Sequence, residues 1–598
     1  MFRRVVASLV LVVAALALAS GAGASHRSLA ATNFGSNVYV FDPSMPTSQI
    51  QATVDAIASQ QLDNEFGSQR YALLFEPGTY GSATDPLIIN VGYYTEVAGL
   101  GASPTDVTIT GHVDVYNRCL TPTNCVALDN FWRSVSNLTI NVTGLSGCRA
   151  TGDFWAVSQA APMRRVNVTG GNLTFMDYCT AGPQYASGGF MADSKTGFVI
   201  NGSQQQFFVR NSDIGGWSNG VWNQVFAGVN GAPAQSFPNQ TYTTLPTTPV
   251  SREAPYLYLD ASGNYQVFAP SAQTASTGTT WASGPTPGLA IPINKFFVAK
   301  PTDSAATINA ALGSGRNLIL TPGIYNLARP ISVTRPDSVV LGLGFPTLIP
   351  TNGNAAITTA SAKGILISGL IIDAGPTNSP FLLRVGSGHS RSANQANDPS
   401  ALTDVFFRIG GAEPGQATTS LVVNSNNVIL DDIWAWRADH GNGVGWTTNT
   451  ADTGLVVNGD NVTALGLFVE HFQKYEVIWN GNNGTDLFFQ NEMPYDPPSQ
   501  AAWTEAPGVD GYAAFKVANS VTHFSGYGMG SYSFFNQGID IFAANGFEVP
   551  AGLPAGSLQD LLTVFLDGSG GIQNVVNGSG GSATAANPST PVPVLSYP

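Results

Sequence analysis

Thr302–Gly344 reads TDSAATINAALGSGRNLILTPGIYNLARPISVTRPDSVVLGLG. A helical run leads into an apolar strand, a Pro-Gly-x-Tyr turn, a β run and a Gly-Leu-Gly close. The first half of the chain repeats that order: TSQIQATVDAIASQQ as helix, then YALLFEPGTYG and PLIINVGYYTEVAGLG. The parallels hold residue by residue. Phe75-Glu-Pro-Gly-Thr-Tyr80 matches Leu320-Thr-Pro-Gly-Ile-Tyr325, and Ala98-Gly-Leu-Gly101 matches Leu341-Gly-Leu-Gly344. The chain is an internal duplication, so one architecture occurs twice.

Outward from each copy run many short strands with few helical stretches, such as VSNLTINV and MRRVNVTG in the first half and GILISGLIID and TGLVVNGDNVTALGLFVEHF in the second. Recurrence every ~20–30 residues with small polar turns marks a β-solenoid, in which each coil pairs with the next. The expected fold is all-β: two tandem right-handed parallel β-helices of pectate-lyase-like type, side by side, each capped by a short N-terminal helix. Thr47 or Ser48 is expected to cap the first helix, with Ile50, Val54 and Ile57 on its buried face. A β-sandwich would not explain two copies of the helix-plus-turn opening.

The organisation read from the sequence is a signal peptide over 1–24, a first lobe over 32–235, a linker over 236–290, a second lobe over 291–568 and a low-complexity tail over 569–598. Arg3 and Arg4 followed by VVASLVLVVAALALA and GAGAS have the charged, apolar and small-residue order of a cleavable export signal. The linker is rich in Pro, Thr, Ser and Gly, with one extended run, APYLYLD. The Gly/Ser/Ala/Pro-rich tail is expected to be poorly ordered. Chain order suggests disulfides Cys119–Cys125 and Cys148–Cys179 in an oxidising compartment, although four cysteines allow three pairings.

Charged residues are 10% of the chain, and the net charge is −14. That argues against nucleic acid and an acidic membrane surface as partners and favours a neutral polymer over a polyanion. No metal or other cofactor is expected: no CxxC pair accompanies the cysteines, and Asp431, Asp432, Asp439 and His440 lack the spacing of a calcium loop. Those four read as turn residues or polar groups of a cleft.

The candidate chemistry lies between Leu467 and Trp503. Period-two alternation puts Phe488, Gln490 and Glu492 on one face of a strand, with Leu487, Phe489 and Asn491 on the other. Glu470 precedes Glu492 by about one coil. Stacked carboxyls raise each other's proton affinity, and a late-ionising acid beside aromatic walls suits glycosidic cleavage.

The chain resembles the two-lobed β-1,3-glucanases of glycoside hydrolase family 55. The resemblance runs from NVYVFDPSMP to about Phe535 and is sharpest in DNFWRSVSNLTI (Asp129–Ile140), FWAVSQAAPMRRVNV (Phe154–Val168) and GVWNQVFAGVNGAP (Gly220–Pro233). It implies a cleft between two β-helices and chain-end hydrolysis of β-1,3-glucan with inversion. The export signal makes the enzyme a secreted one, and it is expected to act as a monomer. The resemblance further implies Glu492, in QNEMPYDPP, as general acid and Glu470, in FVEHFQKY, as second acidic residue. Gln159 and Ser187 would hold the attacking water. Trp446, Trp479, Tyr495, Trp217 and Gln490 are assigned to substrate binding, with Trp434, Trp436 and Trp222 as further rings. Adjacent-rung carboxyls about 5 Å apart would suit retention, whereas inversion needs ~6.5–9.5 Å. Glu470 is therefore given a tuning or substrate-binding role. A pectate-lyase-type enzyme would need an acidic calcium cluster and a base, and a non-catalytic carbohydrate-binding solenoid would need no acid.

Overall fold

The computed structural model describes residues 33–181, 185–388 and 396–598. The signal segment expected over 1–24 lies outside them. In the first lobe, parallel strands succeed one another from Val38–Phe41 through Tyr71–Phe75, Thr95–Gly99, Arg133–Val142, Met163–Thr169, Phe190–Ala192, Gln206–Arg210 and Asn223–Ala227 to Tyr242–Leu245. The second lobe repeats the plan from Phe296–Ala299 to Leu558–Gly568, with a second sheet of eight parallel strands on another face. Each strand bonds to the one a coil later. These are two tandem parallel β-helices, each filled by its own apolar column.

Helices Thr47–Gln61 and Ala305–Gly313 open the two solenoids. Ile50, Val54 and Ile57 are buried as expected, but the cap differs. Pro46 holds the N-cap position with no side-chain bond, so neither Thr47 nor Ser48 caps the helix. A proline there supplies the required φ, and a missing N–H at a helix start costs nothing. Between the lobes, Tyr256–Leu259, Tyr265–Pro270 and Gly288–Pro292 form a small antiparallel sheet. The disulfides are Cys119–Cys125 and Cys148–Cys179, the order-based pairing.

Residues 569–598 are not a loose tail. Gly570–Ile572 continues a coil face, and Val592–Tyr597 pairs antiparallel with Leu558–Gly568. The last coil would otherwise present a bare row of amides and carbonyls, and this strand covers it.

Long strands of the second lobe turn a corner at one left-handed residue per coil, and these stack: Gly369, Asp404, Asp432, Gly466, Phe488, Gly528 and Asp560 all have φ between 53° and 80°. A matching column in the first lobe comprises Asn137, Arg165, Asp193, Asn211 and Gly228. Each corner interrupts the two-residue period. Leu487, expected on the side of Phe489 and Asn491, therefore packs between the lobes with Phe488, while Phe489 enters the second-lobe core.

The faces beside these corners clasp the lobes together. Phe131, Trp132, Phe190 and Phe208 of the first lobe pack with Phe406, Trp434, Phe468 and Phe488 of the second. Charges reinforce the seam: Arg164 bonds Asp404 at 2.7 Å and Asp431 at 3.1 Å, and Arg210 is gripped by Asp431 and the linker's Glu253.

Candidate active site

One end of this seam opens into a cleft of about 850 Å³ with both lobes in its walls. Glu492 ends the strand Gly484–Glu492 and faces the first lobe with only 7% of its surface exposed. Gln205 of the first lobe donates to Glu492 Oε1 at 2.9 Å, and the Tyr495 hydroxyl donates to Oε2. Burial, joined by the Asp439 charge, pushes the Glu492 carboxyl up to about 7, against the Gln205 bond. At neutral pH a large share of Glu492 carries a proton.

Glu470, one coil earlier, is 3% exposed. Trp434 Nε1 donates to its Oε2 at 2.8 Å and Gln159 Nε2 to its Oε1 at 2.7 Å. Burial, and next the Glu492 charge, hold its carboxyl well above the usual range. Three amides connect the two acids across the lobes. Gln159 also donates to Gln490 Oε1 (3.0 Å), Gln490 to Gln205 Oε1 (3.2 Å), and Gln205 to Glu492. In this chain of bonds the Gln159 Oε1 is left without a partner.

Glu492, Glu470, Gln159, Ser187 and Tyr495 all line the cleft. Ser187 is anchored through its backbone N–H to Ser158 Oγ at 2.9 Å. Gln490 sits one layer behind, fully buried, holding the amides of the wall. Three of the expected sugar platforms lie elsewhere. Trp479 is sealed in the second-lobe core, and Trp217 packs in the first-lobe core on Phe175, Phe207 and Phe226. Trp446 packs against the second-lobe core with Arg437 5.6 Å from its ring. In a solenoid, inward aromatic positions fill the coil, and only outward positions near the open seam reach the cleft. The rings that do line it are Phe131, Tyr185, Trp222, Trp436, Tyr495 and Phe534. Tyr185 is 70% exposed, and Trp222 stacks on Tyr532.

Gln205 escaped the sequence reading. The only local signal for it is the run Gln204-Gln205-Gln206, unusual beside an apolar strand. Gln204 satisfies carbonyls of earlier coils in its own lobe, Gln205 reaches Glu492 and Gln206 reaches the Gly528 carbonyl of the second lobe. An ion bridge also joins the walls. Arg118 pairs with Glu65 at 2.8 Å, Glu65 with His440 at 2.7 Å, and His440 with Asp439 at 3.0 Å. Burial opposes charge on His440, but its bonds to Asp439 and Glu65 hold the imidazole up at about 10.

Residues 296–492 match the LAM55 pectate lyase-like domain. The chain is 49% identical over 568 residues to an exo-beta-1,3-glucanase of Streptomyces sp. (strain SirexAA-E / ActE), covering 95% of this chain and 90% of that protein. The solved structure of sacteLam55A from Streptomyces sp. SirexAA-E superposes with a TM-score of 0.89 at 48% identity, covering 95% of this chain and 99% of that one. A glutamate-to-alanine variant of the same protein in complex with glucose superposes with a TM-score of 0.88 at 48% identity, covering 95% and 98%.

Proposed function

The chain belongs to the β-1,3-glucanases of glycoside hydrolase family 55, and from that premise we infer that it hydrolyses β-1,3-glucan from the chain end, with Glu492 as the proton donor. The observation that carries this is one side chain. Glu492 is a buried carboxyl of the second lobe, held near a neutral pKa and aimed into a groove whose opposite wall is the first lobe. Such a group protonates the departing glycosidic oxygen as the sugar ring takes on oxocarbenium character.

Inversion requires water to attack from the face opposite the acid. Gln159 and Ser187 belong to the first-lobe wall of the cleft, which supports their role in holding that water. Glu470 has both oxygens engaged, by Trp434 and Gln159, which supports a tuning or substrate-binding role and not a role as nucleophile. Tyr495 holds Glu492 in place, and Gln490 braces the amides that set its bonds. The Glu65–His440 bridge between the walls fits a groove that ends at a chain terminus.

No helix among the described residues is long and apolar enough to cross a membrane. With the N-terminal Arg-Arg and apolar run and the two disulfides, this supports export. Both walls come from one chain, which supports action as a monomer. The test is product analysis on reduced laminari-oligosaccharides: glucose released singly from the non-reducing end, first as the α-anomer. Internal cleavage, or β-glucose as first product, overturns the exo-inverting assignment. With polygalacturonate run alongside, an ultraviolet-absorbing unsaturated product from it would mean a lyase, and no product from either substrate would mean a binding protein.

A further inference from the structure

Away from the cleft, the first lobe buries three metal-binding side chains in one place. His112 and Asp114 lie two residues apart on Val107–Asp114, so they project to the same side. Asp153 comes from Gly152–Phe154, and all three residues have no solvent exposure. One donor atom from each lies within 4.8 Å of the others. His112 Nδ1 is 3.4 Å from Asp114 Oδ2 and 3.9 Å from Asp153 Oδ1.

Backbone and side chain already orient the carboxylates. Val113 N–H donates to Asp153 Oδ1, Phe154 N–H to Asp114 Oδ1, and the Tyr116 hydroxyl to Asp114 Oδ2. What remains unpartnered is both ring nitrogens of His112 and Asp153 Oδ2, all sealed from water. A fourth group is close by: Asn90 pairs in register with Asp114 on the neighbouring strand, and its shielded Oδ1 also lacks a partner. Leaving this many polar atoms unsatisfied costs ~1–3 kcal/mol each.

Charge makes the same point. Among the described residues, neither aspartate has a cationic partner other than His112 itself. Arg149, stacked 3.4 Å over the Tyr116 ring, is committed to Asp177. Two buried carboxylates without a lysine or arginine partner suit the charge of a dication. Metal–ligand bonds of ~2.0–2.2 Å in a tetrahedron put ligand atoms about 3.3–3.6 Å apart, close to the spacing found here.

We propose that His112, Asp114 and Asp153, completed by Asn90 Oδ1 or a water, form a structural site for a divalent transition cation, zinc first, in the wall of the first lobe. None of these residues lines the cleft. The site lies beside Tyr116 and Arg149, where the Cys148–Cys179 loop folds over the coil. Its role is to brace that coil, as for closed zinc sites without an open position.

The test starts from the full chain, denatured, with its disulfides kept oxidised and its metal removed by EDTA. Refolding with zinc is expected to give one tightly held zinc per chain by mass spectrometry and a higher Tm than refolding in EDTA. Cobalt in its place should show the visible absorption of a tetrahedral site. His112→Gln should lose both the metal and the zinc-dependent Tm difference. Should that variant not fold, the near-isosteric Asp153→Asn makes the same comparison. A wild-type chain without zinc after refolding in zinc, or with the same Tm in zinc and EDTA, overturns the proposal; the cluster then shares a proton instead. Undiminished zinc in either variant overturns it too.

Discussion

Replacing Glu492 by Gln tests the buried acid through stability as well as activity. The folded carboxyl titrates near 7, above its ordinary value of 4.5. Folding therefore favours the protonated form, and its full contribution is present below pH 4.5. It is lost as pH rises from there through 7, because the native state must then ionise a desolvated group. The difference of about 2.5 pKa units corresponds to about 3 kcal/mol. Glutamine keeps the shape and still accepts from Gln205, while the Tyr495 hydroxyl turns from donor to acceptor. It never ionises. For 598 residues at ~2.1 cal/mol/K per residue, 3 kcal/mol is about 2–3 °C in Tm if the lobes unfold together. Scanning calorimetry of both proteins from pH 4 to 9 should show the variant's Tm rising relative to wild type by that amount between pH 4.5 and 8. Parallel curves across the range would refute the burial argument.

Three further outcomes follow from the same geometry. Asp439→Asn removes a charge that raises the Glu492 pKa, so the alkaline limb of the kcat/KM profile on laminarin should move to lower pH. Phe488→Gly relieves a bulky side chain held at φ 77°, worth ~1–2 kcal/mol, but deletes its packing on Phe208 and Phe468, worth ~3–5 kcal/mol. The net loss should be about 2–3 kcal/mol in denaturant unfolding. Arg164→Met strands Asp404 in the seam, while Asp431 keeps Arg210, and should cost ~3–5 kcal/mol by the same measurement.

The duplication, the solenoid and the strand carrying Glu492 were legible because they rest on local repeats and two-residue alternation. The corners were not. Gly466 and Gly528 hint at a left-handed position, but Asp404, Asp432 and Phe488 occupy the same column without any glycine to mark it. Hence Leu487 turns to the seam although alternation from Phe489 assigns it to the interior. Tryptophan identity was equally uninformative. Trp479 and Trp436 differ only in which side of a coil they leave, and that depends on the phase of each strand against its corner. The bond from Gln205 to Glu492 spans 287 residues and two lobes, a distance no periodicity reports. The tail shows the converse: low-complexity composition concealed a strand whose order comes from the exposed edge it covers.

The central claim is proton donation by Glu492, and leaving-group dependence tests it most directly. Laminarin and a dinitrophenyl β-glucoside are compared as substrates for wild type and Glu492→Gln, the second having a leaving group that departs without a proton. General-acid catalysis contributes ~10²–10⁴-fold, so kcat/KM on laminarin should fall by that much while the activated glucoside is cleaved at close to the wild-type rate. Equal losses on both substrates, or retained activity on laminarin, would contradict the assignment.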